Sequence, residues 1–143
     1  MCVGLSNKKV QLYLISSDRV TILKEMSTSF IPIAICLDHD LICMASSNTY
    51  YLLNISTEVV TDLFSFTTSK MTPKIAQLTN NGGLLLRGPD GLGIFADANG
   101  ASQRPPIQWG STIRDFAVLK SYIIAIDNEF ITIHRFEDIY RFI

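Results

Sequence analysis

The sequence predicts an all-β protein, a partial β-propeller of about three and a half to four blades with four antiparallel strands each. Short apolar runs alternate with turn signals along the chain, and no stretch keeps a helical period over three turns. The run that enters the middle hairpin of each unit recurs near Met1, Leu41, Leu84 and Ile123, at spacings of 40, 43 and 39 residues. Such a period is typical of propeller blades, and a β-sandwich is the alternative fold.

The stretch from Leu84 to Trp109 carries two consecutive turn signals. In the first, residues 88–91 (GPDG), proline fixes φ at one corner and glycine accepts a positive φ at the next. In the second, Asn99-Gly100 separates two strand-like runs, which is a strong hairpin signal. The sequence therefore predicts three antiparallel strands here, preceded by a fourth at Lys74–Thr79 and a turn at residues 80–83.

The remaining segments repeat this pattern in chain order, and the predicted units span residues 1–27, 32–66, 74–109 and 113–143. The first unit supplies only three strands, so we expect its innermost strand to be absent. The strands predicted outside the third unit are Met1–Ser6, Val10–Ile15, Arg19–Glu25, Ile33–Leu37, Leu41–Ala45, Tyr50–Ile55, Val59–Phe64, Ile113–Leu119, Tyr122–Ile126 and Phe130–Arg135. Residues 138–143 fit either a short strand or a helical turn.

Length and composition restrict the class of protein. The chain has 143 residues, the size of one ordinary domain, and no second domain is expected. Its longest uncharged apolar run, Phe30–Leu37, contains Pro32 and is far shorter than the ~20 residues of a membrane-spanning helix. The first residues do not form a signal peptide. The 12 basic residues do not cluster, which argues against nucleic acid as a partner.

The sequence contains no motif for catalysis, a cofactor or a metal. Gly88–Gly93 lacks the Gly-Lys-Ser/Thr ending of a phosphate-binding loop, and Ser102 and Ser111 lack a nucleophile elbow. His39 and His134 fall in different units without a clear third ligand. We therefore predict that the protein is not an enzyme and has no catalytic, cofactor-binding or metal-binding residues.

The three cysteines, Cys2, Cys36 and Cys43, are an odd number and form no C-x-x-C pair. This fits buried, reduced thiols in a cytosolic compartment better than a disulfide framework. Because Cys36 and Cys43 lie on neighbouring predicted strands, a disulfide between them is the alternative.

The segment Gln103–Trp109 is the candidate partner-binding site. Its two prolines cannot continue a central strand, so we expect an edge strand or the approach to one. Arg104 and Trp109 belong to residue types that are enriched at binding hot spots. The alternative is that Trp109 packs in the blade core, as large aromatic side chains mostly do, and that Arg104 is merely solvated.

Four strings in the chain match a known family in order and with short gaps: VQLYLISSDRVTILKE, TYYLLNIST with DLF, GPDGLGIFADANGASQRPPIQW and YIIAIDNEFITIH. With these strings the chain resembles the citron homology (CNH) domain from about Cys2 to His134. The resemblance is to the branch of that family found in TGF-β-receptor-associated adaptors and vacuolar sorting tether subunits of the CORVET class.

The resemblance implies a non-enzymatic interaction module of a cytoplasmic, endosome-associated adaptor in vesicle-mediated transport. The implied partners are Rab-type small GTPases, tethering-complex subunits, receptor tails and Smad proteins, with membrane association through partners only. The alternative is a regulatory CNH domain of a signalling kinase or Rho exchange factor. Family members carry further blades and a long α-solenoid, so we expect this chain to be a segment of a larger propeller. We also expect marginal stability and self-association through exposed blade faces.

Overall fold

Antiparallel β-sheet dominates the computed structural model, which describes residues 1–78, 82–110 and 112–136. In this part of the chain, fifteen strands form four sheets, and the prediction of an all-β chain is confirmed. The chain divides into two compact units, Met1–Ile75 and Ala76–Ile143. The element predicted at 138–143 and part of the turn predicted at 80–83 lie outside the described residues.

Unit 1 begins with a three-stranded meander in the order β1-β2-β3. Val10 and Met26 are register partners on neighbouring strands, and both point into the core. Beside this pair, the opposite face of the sheet carries polar side chains. There Lys9 Nζ lies 2.5 Å from Glu25 Oε1. The strands are β1 (Cys2–Leu5), β2 (Lys9–Ile15) and β3 (Val20–Ser27).

The second sheet of unit 1 has four strands in sequential order. Its second strand is almost completely buried, which agrees with a sequence that is apolar at every position. Ile42, Met44 and Leu53 form one core cluster with Val10 and Met26 of the first sheet. The strands are β4 (Ala34–Asp38), β5 (Leu41–Ala45), β6 (Thr49–Asn54) and β7 (Val60–Ser65).

Tyr50 fixes the segment that leaves β7. Its side chain is fully buried and packs against the rings of Phe64 and Phe66, with both centroid distances at 4.9 Å. The backbone N–H of Lys74 donates to the Tyr50 hydroxyl at 3.0 Å, and the hydroxyl lies 3.4 Å from the Lys74 carbonyl oxygen. One phenol therefore holds a segment 24 residues away in sequence.

The sheet that contains the two turn signals has the order β11-β10-β9-β8, and β12 pairs with the other end of β10. The predicted single strand ending at Trp109 is therefore wrong: it is two short strands with a loop between them. The physical reason is Pro105-Pro106, which have no N–H to donate to a ladder. The strands are β8 (Ile75–Gln77), β9 (Leu84–Arg87), β10 (Leu92–Asp97), β11 (Gly100–Ala101) and β12 (Ile107–Gln108).

A 3₁₀ turn, Pro89–Gly91, joins β9 to β10 where the GPDG signal predicts a turn. Gly91 takes the positive φ that the sequence predicts, at 74°. Asp90 also has a positive φ, of 56°, a conformation that Asp tolerates better than most residues.

The last described sheet is a meander in the order β13-β14-β15. Leu85 and Phe95 form one core cluster with Phe116, Ile123 and Ala125 of this sheet. Two carbonyl groups in front of the sheet, those of residues 113 and 114, accept hydrogen bonds from the Arg87 guanidinium. The strands are β13 (Asp115–Leu119), β14 (Tyr122–Ile126) and β15 (Ile131–Arg135).

Candidate functional site

An open cleft of about 650 Å³ lies at the β10–β11 hairpin and the loop that follows it. Its wall combines one carboxylate, one guanidinium and several neutral polar groups. The lining residues are Asp97, Asn99, Ala101, Ser102, Gln103 and Arg104. Four of them lie within two residues of the Asn99-Gly100 turn, so the predicted hairpin signal also locates the cleft.

The hairpin positions the carboxylate side of the cleft. Asp97 and Gly100 are register partners, and Asp97 Oδ1 accepts a hydrogen bond from the backbone N–H of Asn99 at 2.8 Å. Gly100 has a φ of 112°, a conformation that only glycine adopts without strain. The turn is thus held both by its glycine and by a side-chain acceptor.

Arg104 supplies the cationic side of the cleft. Its guanidinium carbon lies 5.7 Å from the centroid of the Phe95 ring, within the range of a cation–π interaction. The backbone N–H of Arg104 donates to Ser102 Oγ at 3.2 Å, and Ser102 N–H donates to the Phe95 carbonyl oxygen at 2.8 Å. Since Phe95 belongs to the core, the charged group rests on a rigid support.

Trp109 lies in a different environment. Its ring packs against the hydrophobic cluster and is stacked on Phe116 with a centroid distance of 4.9 Å. It is partly buried and does not line the Asp97–Arg104 cleft. The structure therefore does not bring Arg104 and Trp109 together in the cleft, and Trp109 takes the packed position that the sequence offered as the alternative. A role in partner binding stays a prediction for both residues.

The indole N–H of Trp109 is buried and has no hydrogen-bond partner among the described residues. The same is true of His134 Nε2, and burial lowers the pKa of this imidazole. His39, by contrast, is 81% exposed, and its Nδ1 lies 2.9 Å from Asp38 Oδ1. Within residues 1–78, 82–110 and 112–136, no three His, Cys, Asp or Glu side chains are arranged to hold a metal ion.

All three cysteines are free thiols. Cys36 on β4 and Cys43 on β5 are direct register partners, as their positions on neighbouring predicted strands suggested. Burial raises the pKa of each thiol, and it raises that of Cys2 to about 11. A protonated thiol is a poor nucleophile, so these groups are poorly suited to covalent chemistry at neutral pH.

The sequence did not predict Asp97 and Asn99 as lining residues, because Asn99-Gly100 was interpreted as a hairpin turn alone. The cleft was recognisable only once the loop after β11 was seen to fold back beside the hairpin. In the part of the chain that the structure describes, no helix has the length and apolar character needed to cross a membrane.

The comparison with known families agrees with the resemblance that the four sequence strings indicate. The family model described as the CNH domain matches residues 1–139. Transforming growth factor-beta receptor-associated protein 1 is 40% identical in Mus musculus and 39% identical in Homo sapiens, over 136 residues in each case. Those matches cover 95% of this chain but only 16% of the relatives, so the chain spans about a sixth of their length.

Solved structures support the fold. The N-terminal domain of Nup159 matches with a TM-score of 0.51 at 15% identity, covering 91% of this chain and 39% of that one. A chain from the S. cerevisiae complex of Dbp5 with Nup159, Gle1, IP6 and ADP matches with a TM-score of 0.53 at 14% identity and the same coverage. These neighbours are β-propeller-type domains, and at such low identity the likeness concerns the fold alone.

Proposed function

The chain belongs to the CNH domain family, and from this premise we propose that it is a non-enzymatic protein-interaction module. The observation that carries the proposal is the 37–40% identity to receptor-associated proteins, which extends over 95–96% of the chain. That identity favours an adaptor over the regulatory domain of a kinase or exchange factor.

The proposed setting is an endosomal tethering or receptor-associated complex in the cytoplasm. The partners we propose are Rab-type GTPases, tethering-complex subunits, and the cytoplasmic tails of TGF-β receptors or their Smad proteins. The name of the relatives supports the receptor tail, because those proteins are described as receptor-associated. Membrane association would then follow from the partners.

The Asp97–Arg104 cleft is the surface that we propose for partner contact. It places a guanidinium on an apolar ring beside a carboxylate, a combination suited to a peptide that carries both charged and neutral polar groups. An arginine held in this way has already lost part of its conformational freedom, which lowers the entropic cost of binding.

Interferometry with the immobilised chain tests the proposal. The analytes are Rab-type GTPases loaded with GDP or a GTP analogue, tether subunits, and receptor tails. We expect at least one class to bind, and Arg104→Ala to weaken that binding by about tenfold or more, as loss of a charged hot-spot residue does.

Arg19→Ala is the matched control, because Arg19 is an exposed arginine in a turn of unit 1. It should leave binding unchanged. Absence of binding to all three classes would refute the adaptor proposal. Binding that is insensitive to Arg104→Ala would retain the module and reject the cleft.

A further inference from the structure

The loop between β11 and β12 projects from the edge of its sheet. Ser102 N–H donates to the Phe95 carbonyl oxygen at 2.8 Å, and Ile107 is the register partner of Gly93. The chain therefore leaves β10 at Phe95 and returns to it only two residues away, at Gly93. Two residues of a strand span about 7 Å, whereas the chain from Ser102 to Ile107 can reach about 17 Å. The surplus length forms a loop that extends away from the strand.

Local sterics favour a polyproline II conformation at the tip of this loop. The rings of Pro105 and Pro106 fix their φ angles at about −65°. Arg104 and Pro105 each precede a proline, and a residue in that position disfavours the helical region and adopts an extended conformation. The described residues contain no cis peptide bond. Residues 104–106 therefore fit one three-residue turn of a polyproline II helix.

Both proline rings are exposed, whereas the residues on either side of them are held in place. On one side, Arg104 N–H donates to Ser102 Oγ at 3.2 Å, and the guanidinium carbon lies 5.7 Å from the centroid of the Phe95 ring. On the other side, Ile107 is only 6% exposed and belongs to the core cluster of unit 2. The loop thus presents a single proline pair in a fixed conformation, which lowers the entropic cost of binding.

From this presentation we propose that residues 104–106 bind a domain with one aromatic groove for a proline pair, a groove of the WW type. Such grooves hold proline rings between aromatic side chains and recognise a preformed polyproline II segment. A groove of the SH3 type takes the longer PxxP pattern, but here the chain enters the core directly after Pro106. The contact is made by the two proline rings, so it adds a second kind of partner to the one proposed for the Asp97–Arg104 cleft.

NMR titration tests the proposal, with a panel of isotope-labelled WW domains as probes and the unlabelled 143-residue chain as titrant. We expect at least one domain to show shifts at its groove aromatics, with a micromolar to millimolar dissociation constant. The double substitution Pro105→Ala with Pro106→Ala should weaken binding by about tenfold or more, because it removes both rings. Gln108→Ala is the matched control, since Gln108 is exposed on β12 just outside the loop, and it should leave binding unchanged.

Competition examines the groove without altering the chain. A free proline-rich peptide that fills the groove of the WW domain should displace the chain and return the shifts to those of the peptide complex. An isotope-labelled SH3 domain serves as the negative probe and should show no shifts. The melting temperature of the double alanine variant confirms that it folds, and we expect a small change because both prolines are exposed.

Three results would overturn the proposal: no shifts in any WW domain, binding that survives the double alanine substitution, or binding that the proline-rich peptide does not displace. Binding to the SH3 domain in place of the WW domains would reject the single groove. Failure of this test leaves the adaptor proposal unaffected, because that proposal is measured with GTPases, tether subunits and receptor tails, and its variant is Arg104→Ala.

Discussion

Gly93 leaves room for the Trp109 ring beside β10. A Cβ atom at position 93 would lie 2.6 Å from Cη2 of that ring, a distance that forces the indole to move. We expect Gly93→Ala to lower the free energy of unfolding by about 1–3 kcal/mol through overpacking. Trp109→Ala should cost about 3 kcal/mol, at the lower end for a large aromatic, because the ring is only partly buried.

Urea denaturation followed by circular dichroism measures both changes. The combination Gly93→Ala with Trp109→Phe should cost less than the two single substitutions together, because the smaller ring gives space to the added methyl group. A Gly93→Ala variant as stable as the unmodified chain would show that the ring is free to shift, and it would remove the argument that Trp109 is a packing residue.

The three thiols should make the stability of the protein sensitive to alkaline pH, since Cys43 is buried and Cys2 and Cys36 are half-buried. Burial raises the folded-state pKa of Cys2 to about 11 and raises those of Cys36 and Cys43, so the unfolded chain loses these protons first. The contribution to stability is therefore complete below about pH 8.5, the pKa of an unperturbed thiol, and is lost as the pH rises toward 11.

Iodoacetamide labelling at increasing pH checks this prediction. In the folded chain the labelling rate should still be rising at about pH 11, whereas in urea it should level off by about pH 10. Because all three thiols are free, mass spectrometry without reductant should also find three labelled cysteines after unfolding. Rapid labelling of the folded chain at pH 7 would contradict the burial of these groups.

At the scale of elements, the hydroxyl of Tyr50 joins β6 to the segment before β8. Tyr50→Phe removes only the oxygen that accepts from Lys74 N–H, so that a partly buried donor loses its partner. We expect a loss of about 1–2 kcal/mol in the free energy of unfolding. Thermal and urea unfolding measure it.

Tyr51→Phe is the matched control for this contact. Tyr51 is the next residue on the same strand, and its ring is stacked on Phe30 with a centroid distance of 4.2 Å. Phenylalanine keeps that stacking, so the control should change stability by less than Tyr50→Phe. Equal losses for the two variants would mean that the Lys74 contact is not the source of the effect.

Some elements could be predicted from the sequence because local chemistry determines them. The bounds of β5 and β14 agree with the prediction, since both are short apolar runs between turn residues. The split between β11 and β12 follows from two prolines, although the prediction treated the segment as one strand. β13 begins at Asp115 rather than Ile113, because Ile113 enters the core before the strand starts.

At the scale of the whole molecule, the family could be recognised from ordered strings, but the surfaces could not. The cleft depends on a loop that returns beside the hairpin. The outward face of the β13–β15 sheet, which carries Ile124, Ile131 and Ile133, depends on the register of three strands. A one-residue slip in the pairing of β13 with β14, or of β14 with β15, would exchange buried and exposed side chains. Alternation alone therefore does not establish which isoleucines face outward.

The balance of charge and apolar surface should limit the solubility of the whole chain. The formal net charge is −1 and the isoelectric point is about 6.1, while 48% of the residues are hydrophobic. Near pH 6 the molecules lose their mutual repulsion, so we expect a solubility minimum there and a steady rise toward pH 8.5. Precipitation by polyethylene glycol across this pH range gives the solubility curve.

Two lysine variants separate the effect of net charge on solubility from the effect of the exposed isoleucines of β15, Ile131 and Ile133. Ile133→Lys adds a positive charge and removes an exposed isoleucine, whereas Thr132→Lys adds the same charge at an exposed neighbour that points to the other side of the strand. Both should move the minimum to higher pH because both raise the isoelectric point. Only Ile133→Lys should also raise the solubility at the minimum itself, since it interrupts the apolar surface. Equal solubility of the two variants at their minima would mean that net charge alone controls association.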